Sequence, residues 1–375
     1  MQSVRKAFDS YFASSGIRPV IADVGASGDQ PRVWTPIAPW SHYIGFDPDS
    51  RDIRTHTQGN YGKSTFLPVA VSPDREKDRV TFRMTRSPHC SSILEPDSER
   101  LRPYLFARSF DVLDRVEVSS SSLNESVRQT GESHIDWLKL DVQGADLAVY
   151  HSLDKGWRDS MLALDYEAGL IHAYHGEDLY GTAHERLIAE GWWLSRLRLC
   201  GDVRMSRNAL DSISVDEESV RRRQRISPGW VEARYLKDPA VVSRDQLPLL
   251  AVFCLLDGQF GVALEILQGI GPRDPGSEEV YRYCEAALQG RVPTAVGNEE
   301  MPRWEDLHGL TMDGVLRRFG PEELICALSP YEIFRAVWSR MRRRVLRPPF
   351  ENKDVLRHAS FSEFTPDSPK NFVWR

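Results

Sequence analysis

The segment Val-Ile-Ala-Asp-Val-Gly-Ala-Ser-Gly-Asp, residues 20–29, restricts the fold more than any other part of this chain. Its apolar first half is typical of a parallel strand that is covered on both faces. Gly25 and Gly28 permit a tight turn and a close approach of the backbone to a ligand. Asp23 lies near the end of the strand, at the edge where open α/β sheets bind their ligands. We therefore expect a ligand site around this turn.

A second apolar segment ends in Asp47, and the spacing from the turn is about the 20 residues typical of an acid that binds ribose hydroxyls. The turn differs from the G-x-G-x-x-G pattern that places a pyrophosphate at a helix N-terminus. Its flanking acids, Asp23 and Asp29, favour a ligand with a cationic amine and no phosphate, and S-adenosylmethionine meets both conditions. The alternatives are a turn that serves only the fold, and Asp23 as the cap of the next helix.

Strand and helix patterns alternate through the first half of the chain, which predicts an α/β fold with a Rossmann-like, doubly wound, mostly parallel sheet. The candidate strands are residues 19–24, 42–47, 65–71, 79–84, 136–142 and 161–167. A helix at about 181–190 should end at Gly191, and Trp192 should open a late edge strand. Residues 85–110 are expected to form an irregular insertion, a position that often carries substrate contacts.

The length of 375 residues exceeds one typical compact domain. We expect an N-terminal helix, a sheet domain, an α-helical C-terminal module, and a final helix and tail, at residues 1–18, 19–215, 216–295 and 296–375. Residues 229–290 have helical periodicity and should contain no strand, so the module should serve acceptor recognition or assembly. A basic amphipathic helix at 330–347 could contact an anionic membrane surface, but packing on its own protein is favoured.

Charge and cysteine content indicate which classes of protein this chain does not resemble. The net charge of -6 gives no general case for nucleic-acid binding. The five cysteines are scattered without a C-x-x-C motif, as expected for reduced thiols in a cytoplasmic protein, and the N-terminus lacks an apolar signal core. No histidine, cysteine and acid spacing marks a zinc site. A homo-oligomer remains open.

The most specific motif is Leu-Lys-Leu-Asp-Val-Gln-Gly-Ala-Asp at residues 138–146, a buried strand that ends in an acid and a glycine turn. With this motif, the chain resembles the FkbM family of methyltransferases over roughly residues 20–200. The segments that carry the resemblance are residues 23–26, 45–47, 68–72, 91–94, 138–146, 174–180 and 190–192. The chain departs from the family after the fifth strand, where Asp165 and Glu167 are followed by Gly169 instead of further alternating acids.

The resemblance implies a class I, S-adenosylmethionine-dependent O-methyltransferase that acts on a sugar hydroxyl of a glycan or glycosylated metabolite. The residues expected to bind the cofactor lie in the glycine turn and at strand ends: Asp23, Gly25, Ala26, Ser27, Gly28, Asp47, Ala70, Ser92, Asp141 and Gln143. Three alternatives stay open: a nicotinamide oxidoreductase, a catalytically silent binding module, and a methyltransferase for a small metabolite or a protein nitrogen.

The residues expected to act on the acceptor are Asp141, Lys139, Glu167 and His172. Asp141 could orient the acceptor hydroxyl, act as a base or hold a metal ion, and Lys139 projects from the same strand face. The alternative for Lys139 is a buried ion pair with Asp141. His172 and His175 could remove a proton near neutral pH, although an exposed loop histidine without a catalytic role is the stronger alternative. A magnesium ion bound by Asp141, Asp146 and Glu167 is a further possibility.

Overall fold

The computed structural model describes residues 4–28, 30–49, 51 and 60–292. The chain divides into two units, Met1–Glu300 and Met301–Arg375, and the second lies wholly outside the described residues. The expectations for the basic helix at 330–347 and for the tail at 296–375 therefore lie outside them as well, as does Asp29.

The expected Rossmann-like α/β architecture is confirmed. A seven-stranded sheet has the order β3-β2-β1-β7-β8-β10-β9, and a smaller sheet has the order β4-β6-β5. The strands are β1 (Val20–Val24), β2 (His42–Phe46), β3 (Lys63–Leu67), β4 (Ala70–Val71), β5 (Arg79–Thr85), β6 (Val112–Ser121), β7 (Trp137–Leu140), β8 (Ala163–Gly169), β9 (Trp192–Asp202) and β10 (Ser227–Lys237). The pairs β3–β2, β2–β1, β1–β7 and β7–β8 are parallel, whereas β10 is antiparallel to both of its neighbours.

Helices occupy both faces of the large sheet, as apolar residues on both sides of its central strands require. They are α1 (Val4–Ser15), α2 (Ser98–Leu101), α3 (Leu123–Gln129), α4 (Asp146–Ser152), α5 (Lys155–Ser160), α6 (Tyr180–Ala189), α7 (Arg207–Asp211), α8 (Glu217–Arg223), α9 (Leu247–Leu256), α10 (Phe260–Gly269) and α11 (Pro275–Leu288). Each described helix is too short or too polar to span a bilayer.

Two apolar cores lie on opposite faces of the sheet because neighbouring side chains in a strand point to opposite sides. One core joins Val20, Ala22 and Val24 of β1 to the apolar sides of α3, α4 and α6. The other joins Ile21 of β1 and Trp137 of β7 to α1 and to α9, α10 and α11. The helices of the C-terminal region therefore pack directly on the sheet.

Two expected strands differ from the structure. The segment 65–71 divides into β3 and β4 at Pro68, which has no N–H to donate to a strand ladder. The segment 79–84 is a strand, β5, but it belongs to the small sheet and pairs antiparallel with β6. β6 was not predicted, because charged and serine residues dominate its sequence and its side chains are largely exposed.

The expectation that no strand follows residue 215 is wrong. β10 lies between β8 and β9 in the large sheet, so that sheet extends beyond the expected limit of the sheet domain. Pro228 and Gly229 at its start, and the charged Glu232 and Arg234, obscured the strand pattern. Its period of two is nevertheless present, since Val231, Ala233 and Tyr235 are buried on one face. The late edge strand that begins at Trp192 is confirmed as β9.

Candidate active site

A cavity of about 430 Å³ opens at the carboxyl ends of β1, β2, β7 and β8. The insertion before β6 and the start of β10 close its other side. This is the edge at which open α/β sheets bind ligands. Seven of the expected site residues line the cavity: Gly25, Ser27, Asp47, Ala70, Asp141, Gln143 and Glu167. The other expected residues lie behind its wall or beside it.

The glycine turn after β1 is held between two neighbouring strands. The backbone N–H groups of Gly25 and Ala26 both lie 3.0 Å from the carbonyl oxygen of Phe46 at the end of β2. Gly25 has φ +82°, and a Cβ on it would lie 1.9 Å from the carbonyl oxygen of Asp141. Only glycine fits this position, because both the backbone angle and the space exclude a side chain. Ala26 is buried in the turn and does not line the cavity.

The second half of the turn contacts the insertion. Gly28 has φ +79°, and a Cβ there would lie 3.7 Å from the His89 ring, an ordinary van der Waals distance. Ser27 Oγ is 3.5 Å from His89 Nδ1, and both residues line the cavity. Gly28 itself does not, so its contribution is to the path of the chain.

Asp23 lies beneath the turn and does not line the cavity, whereas the sequence predicted that it contacts the cofactor. Its side chain is 2% exposed and accepts hydrogen bonds from Tyr43 Oη at 3.0 Å and Lys139 Nζ at 2.9 Å. Burial raises the pKa of Asp23, and Lys139 opposes this effect. Lys139 Nζ also donates to the carbonyl oxygen of Gly25 at 3.2 Å. The alternative for Lys139, a buried ion pair, is therefore present, with Asp23 as the principal partner and Asp141 at 3.9 Å. Lys139, an expected catalytic residue, does not line the cavity.

Asp47 follows β2 and faces the cavity. It is 7% exposed, and its Oδ1 accepts the backbone N–H of Asp49 at 2.7 Å. Burial raises the pKa of Asp47 to about 6. Ala70, the first residue of β4, lines the cavity nearby. Ser92 does not: its Oγ donates to the carbonyl oxygen of Gln143 at 2.8 Å and accepts the N–H of Leu94 at 2.9 Å, which ties the insertion to the turn after β7.

Gln143 joins the two acids at the ends of β7 and β8. Its Nε2 donates to Asp141 Oδ1 at 2.7 Å and to Glu167 Oε1 at 3.1 Å. Its Oε1 lies 3.1 Å from Tyr174 Oη, which donates the hydrogen bond. Burial and the nearby Asp141 carboxylate raise the pKa of Glu167 well above its usual range. The network thus holds Glu167, whose carboxyl group favours its protonated form, next to Asp141.

The backbone of Gln143 is itself unusual. Among the described residues other than glycine, Gln143 alone has a positive φ, +57°. Such a conformation costs roughly 1–3 kcal/mol and persists where the surroundings determine it. Here Asp146 determines it, because its two carboxylate oxygens accept the N–H groups of Val142 at 2.9 Å and Gly144 at 3.0 Å. The strained turn points the Gln143 amide at the cavity.

The proposed magnesium ligands are not arranged as a metal site. Both oxygens of Asp146 are directed at backbone N–H groups, and burial raises its pKa to about 7. No group of three or more histidine, cysteine or acidic residues in the described segments could hold a metal ion. Asp141 and Glu167 lie together on the cavity wall, whereas Asp146 stabilises the turn behind them.

The far side of the cavity contains residues that sequence reasoning missed. Phe106 and Phe110 come from the insertion, and Trp230 and Glu232 come from β10. His172, an expected catalytic residue, does not line the cavity, although Ile171 and Ala173 on either side of it do. The alternation of apolar and charged residues in β10 was the signal that could have identified this wall.

Comparison with known proteins identifies the domain that carries this site. Residues 39–198 match the family model described as the methyltransferase FkbM domain. No curated protein and no solved structure matches the chain. The matched range includes Asp47, Asp141, Gln143 and Glu167, while the glycine turn and β10 lie outside it. Residues 39–198 therefore belong to the FkbM family, and the chain contains a methyltransferase domain of that family.

Proposed function

We propose that this protein is an S-adenosylmethionine-dependent O-methyltransferase that acts on a sugar hydroxyl of a glycan or glycosylated metabolite. The observation that carries the proposal is one cavity, lined mostly by residues of the FkbM methyltransferase domain, that brings together the Gly25 turn, Asp47 and Asp141. These groups come from three neighbouring parallel strands, and each lies at the edge where open α/β sheets generally bind ligands.

The residues at this end of the cavity fit such a cofactor. The Gly25 turn packs so closely against the end of β7 that a Cβ on Gly25 would clash with the carbonyl oxygen of Asp141, and this contact holds Gly25 and Asp141 together on the cavity wall. Asp47 would accept hydrogen bonds from the ribose hydroxyls. In the described part of the chain, the lining includes no lysine or arginine to pair with a pyrophosphate, which weighs against a nicotinamide cofactor.

The chemistry needs alignment and removal of one proton. When bound, S-adenosylmethionine supplies a methyl group on a positively charged sulfur that leaves as a neutral thioether. In this proposal, Asp141 orients the acceptor hydroxyl, whose oxygen forms the new bond to carbon. Glu167 in its ionised form receives the hydroxyl proton, since a carboxylate with a raised pKa is a stronger base. Gln143 keeps the two carboxylates in place through its amide.

Calorimetric titration of the full chain tests the proposal. S-adenosylhomocysteine, the product form of the cofactor, should bind at least about a hundredfold more tightly than NAD⁺, a difference of about 2.7 kcal/mol. Equal or tighter binding of NAD⁺ would overturn the methyltransferase assignment of this cavity. Binding of S-adenosylhomocysteine without methyl transfer to any carbohydrate would instead favour a different acceptor or a silent binding module.

A further inference from the structure

The cavity carries more acidic groups than a cofactor site needs. Six lining residues are acidic: Asp47, Asp49, Asp141, Glu167, Glu177 and Glu232. Asp47, Asp141 and Glu167 belong to the proposed cofactor and reaction centre. Two others have structural partners, since Asp49 pairs with Arg51, and Glu177 accepts the N–H groups of Ala173 and Tyr174.

Glu232 is the lining acid that this assignment leaves, and it lies beside Glu167. They are register partners in the antiparallel pair of β8 and β10, so both side chains project from the same face of the sheet. Glu232 is 48% exposed at the rim, and its cationic neighbour, Arg198, donates to it at 3.1 Å while remaining 36% exposed. Because both side chains are so exposed to solvent, the ion pair between Arg198 and Glu232 is weak.

Aromatic side chains line the same cavity as the two acids. The rings of Phe106 and Trp230 are 6.1 Å apart in an edge-to-face arrangement, and Phe106 also contacts Phe110 at 5.4 Å. All three line the cavity and are only half-buried, so they are accessible to a ligand. Gly229 lies beside the Phe106 ring, and a Cβ there would lie 3.9 Å from the ring, an ordinary van der Waals distance. Aromatic faces bind cations and the C–H faces of rings.

We propose that Glu167, Glu232, Phe106 and Trp230 form an acceptor subsite that takes an uncharged or cationic ring rich in hydrogen-bond donors and rejects anionic rings. This inference rests on the proposed function and names the charge class of its acceptor. The carboxylates accept hydrogen bonds from hydroxyl or amine groups, while the aromatic faces pack on the ring. A phosphate or carboxylate on the acceptor would meet the negative charge of Glu232, and the described segments place no lysine or arginine in the lining to attract it.

β10 lies outside the range that matches the FkbM domain, which ends at residue 198. Trp230 and Glu232 therefore belong to a part of the chain that the family match does not cover. The match alone gives no information on the charge of the acceptor, whereas the pairing of β10 with β8 places an acid and an aromatic ring at the site.

Saturation-transfer NMR on the full chain with saturating S-adenosylhomocysteine tests the subsite. The probes are methyl β-D-glucoside and D-glucosamine, and their anionic counterparts D-glucuronate and D-glucose 6-phosphate. The first two should bind with a Kd at least about tenfold lower than either anion. Comparable or tighter binding of the anions would overturn the inference, as would failure of all four probes to bind.

Two variants assign the effect to the named residues. Glu232→Gln should reduce the discrimination against the anions at least about threefold, and Phe106→Ala should weaken the neutral and cationic probes about fivefold. Neither should change S-adenosylhomocysteine affinity. Glu265→Gln, an exposed acid on α10, is the matched control and should change nothing. Unchanged discrimination in Glu232→Gln would overturn the subsite. If the unmodified chain failed to bind S-adenosylhomocysteine, this result would instead overturn the proposed function, and this inference with it.

Discussion

At the scale of single residues, Gly25 and Gly28 provide a matched test. Both have a positive φ, but only Gly25 has no space for a Cβ. Gly25→Ala places a Cβ against the Asp141 carbonyl oxygen, so the turn must move and the cofactor end of the cavity changes. Gly28→Ala should cost only the backbone strain, about 1–2 kcal/mol. We expect Gly25→Ala to lose S-adenosylhomocysteine binding and Gly28→Ala to retain it. Calorimetry and urea unfolding measure both, and equal effects would contradict the close contact with β7.

Asp47 should destabilise the protein at neutral pH. Its pKa is raised by burial from 3.8 to about 6, so the folded state holds this proton more tightly than the unfolded state. Its contribution to stability is therefore absent below pH 3.8, becomes unfavourable as pH rises to about 6, and stays unfavourable above that value.

Asp47→Asn should remove this cost. The variant should be more stable at pH 7, by up to about 3 kcal/mol, and the gain should shrink towards pH 4. Its affinity for S-adenosylhomocysteine should fall, because an amide is a weaker acceptor for hydroxyls than a carboxylate. Urea unfolding across this pH range is the measurement. A gain in stability that does not depend on pH would contradict the assigned pKa.

Asp141→Asn should lower turnover at least about tenfold with little change in cofactor affinity, since the residue is placed where acceptor and cofactor meet. Asparagine keeps the size of the side chain and an oxygen that can accept from Gln143. Asp159→Asn, an exposed acid on α5, is the control. If cofactor affinity fell in step with turnover, Asp141 would belong to the cofactor pocket.

A chelator tests the magnesium possibility separately. Full activity of the unmodified protein in excess chelator would remove magnesium from the mechanism.

The sequence was a good guide to residues at strand ends and a poor one to side-chain partners. Asp47 and Asp141 could be placed at the cavity because parallel strands bring their carboxyl ends to one edge. The partnership of Asp23 with Lys139 could not be predicted, because it depends on the register of β1 and β7, which are 116 residues apart along the chain. The roles of all these residues remain predictions.

At the scale of elements, β10 is joined to the sheet and to α9 by a buried arginine. Arg234 is 8% exposed, and its guanidinium donates to Asp165 on β8 at 2.6 Å and to Asp257 after α9 at 2.7 Å. Its charge also lies 5.2 Å from the centre of the Trp137 ring. One side chain thus connects two strands and a helix of the C-terminal region.

Arg234→Met should destabilise the protein by about 3–5 kcal/mol, because it leaves two acids buried without their partner. Arg222→Met is the matched control on the surface, where the pair with Glu218 is mostly exposed, and it should cost less than about 1 kcal/mol. Urea unfolding compares the two variants. Equal costs would show that the Arg234 contacts do not stabilise the fold.

The elements with a uniform pattern were predictable, and those with mixed sequence were not. β1, β2 and β7 are largely buried on both faces, so short, mostly apolar runs identified them. β10 and β6 alternate with charged or serine residues and follow prolines or loops, so periodicity alone did not separate them from helices or turns. Their place in a sheet depends on partners that are distant in sequence.

At the scale of the whole molecule, the C-terminal helices complete the core of the sheet domain. Phe253 of α9 lies 4.9 Å from the Trp137 ring of β7, and α1 packs on α11, so the two ends of the described unit meet. The expected limit of the sheet domain at residue 215 excludes β10, which lies within the large sheet. Helical periodicity located α9, α10 and α11 correctly but gave no information on the surface that they cover.

Truncation tests this dependence. A chain cut after residue 215 lacks β10 and α9–α11, so it exposes the apolar face that contains Trp137 and should aggregate or remain unfolded. A chain cut after Glu300 keeps the whole first unit and should unfold cooperatively and still bind S-adenosylhomocysteine. Circular dichroism, urea unfolding and calorimetry make the comparison. A soluble, cofactor-binding product from the shorter chain would show that the sheet is stable without its last strand and without the helices on that face.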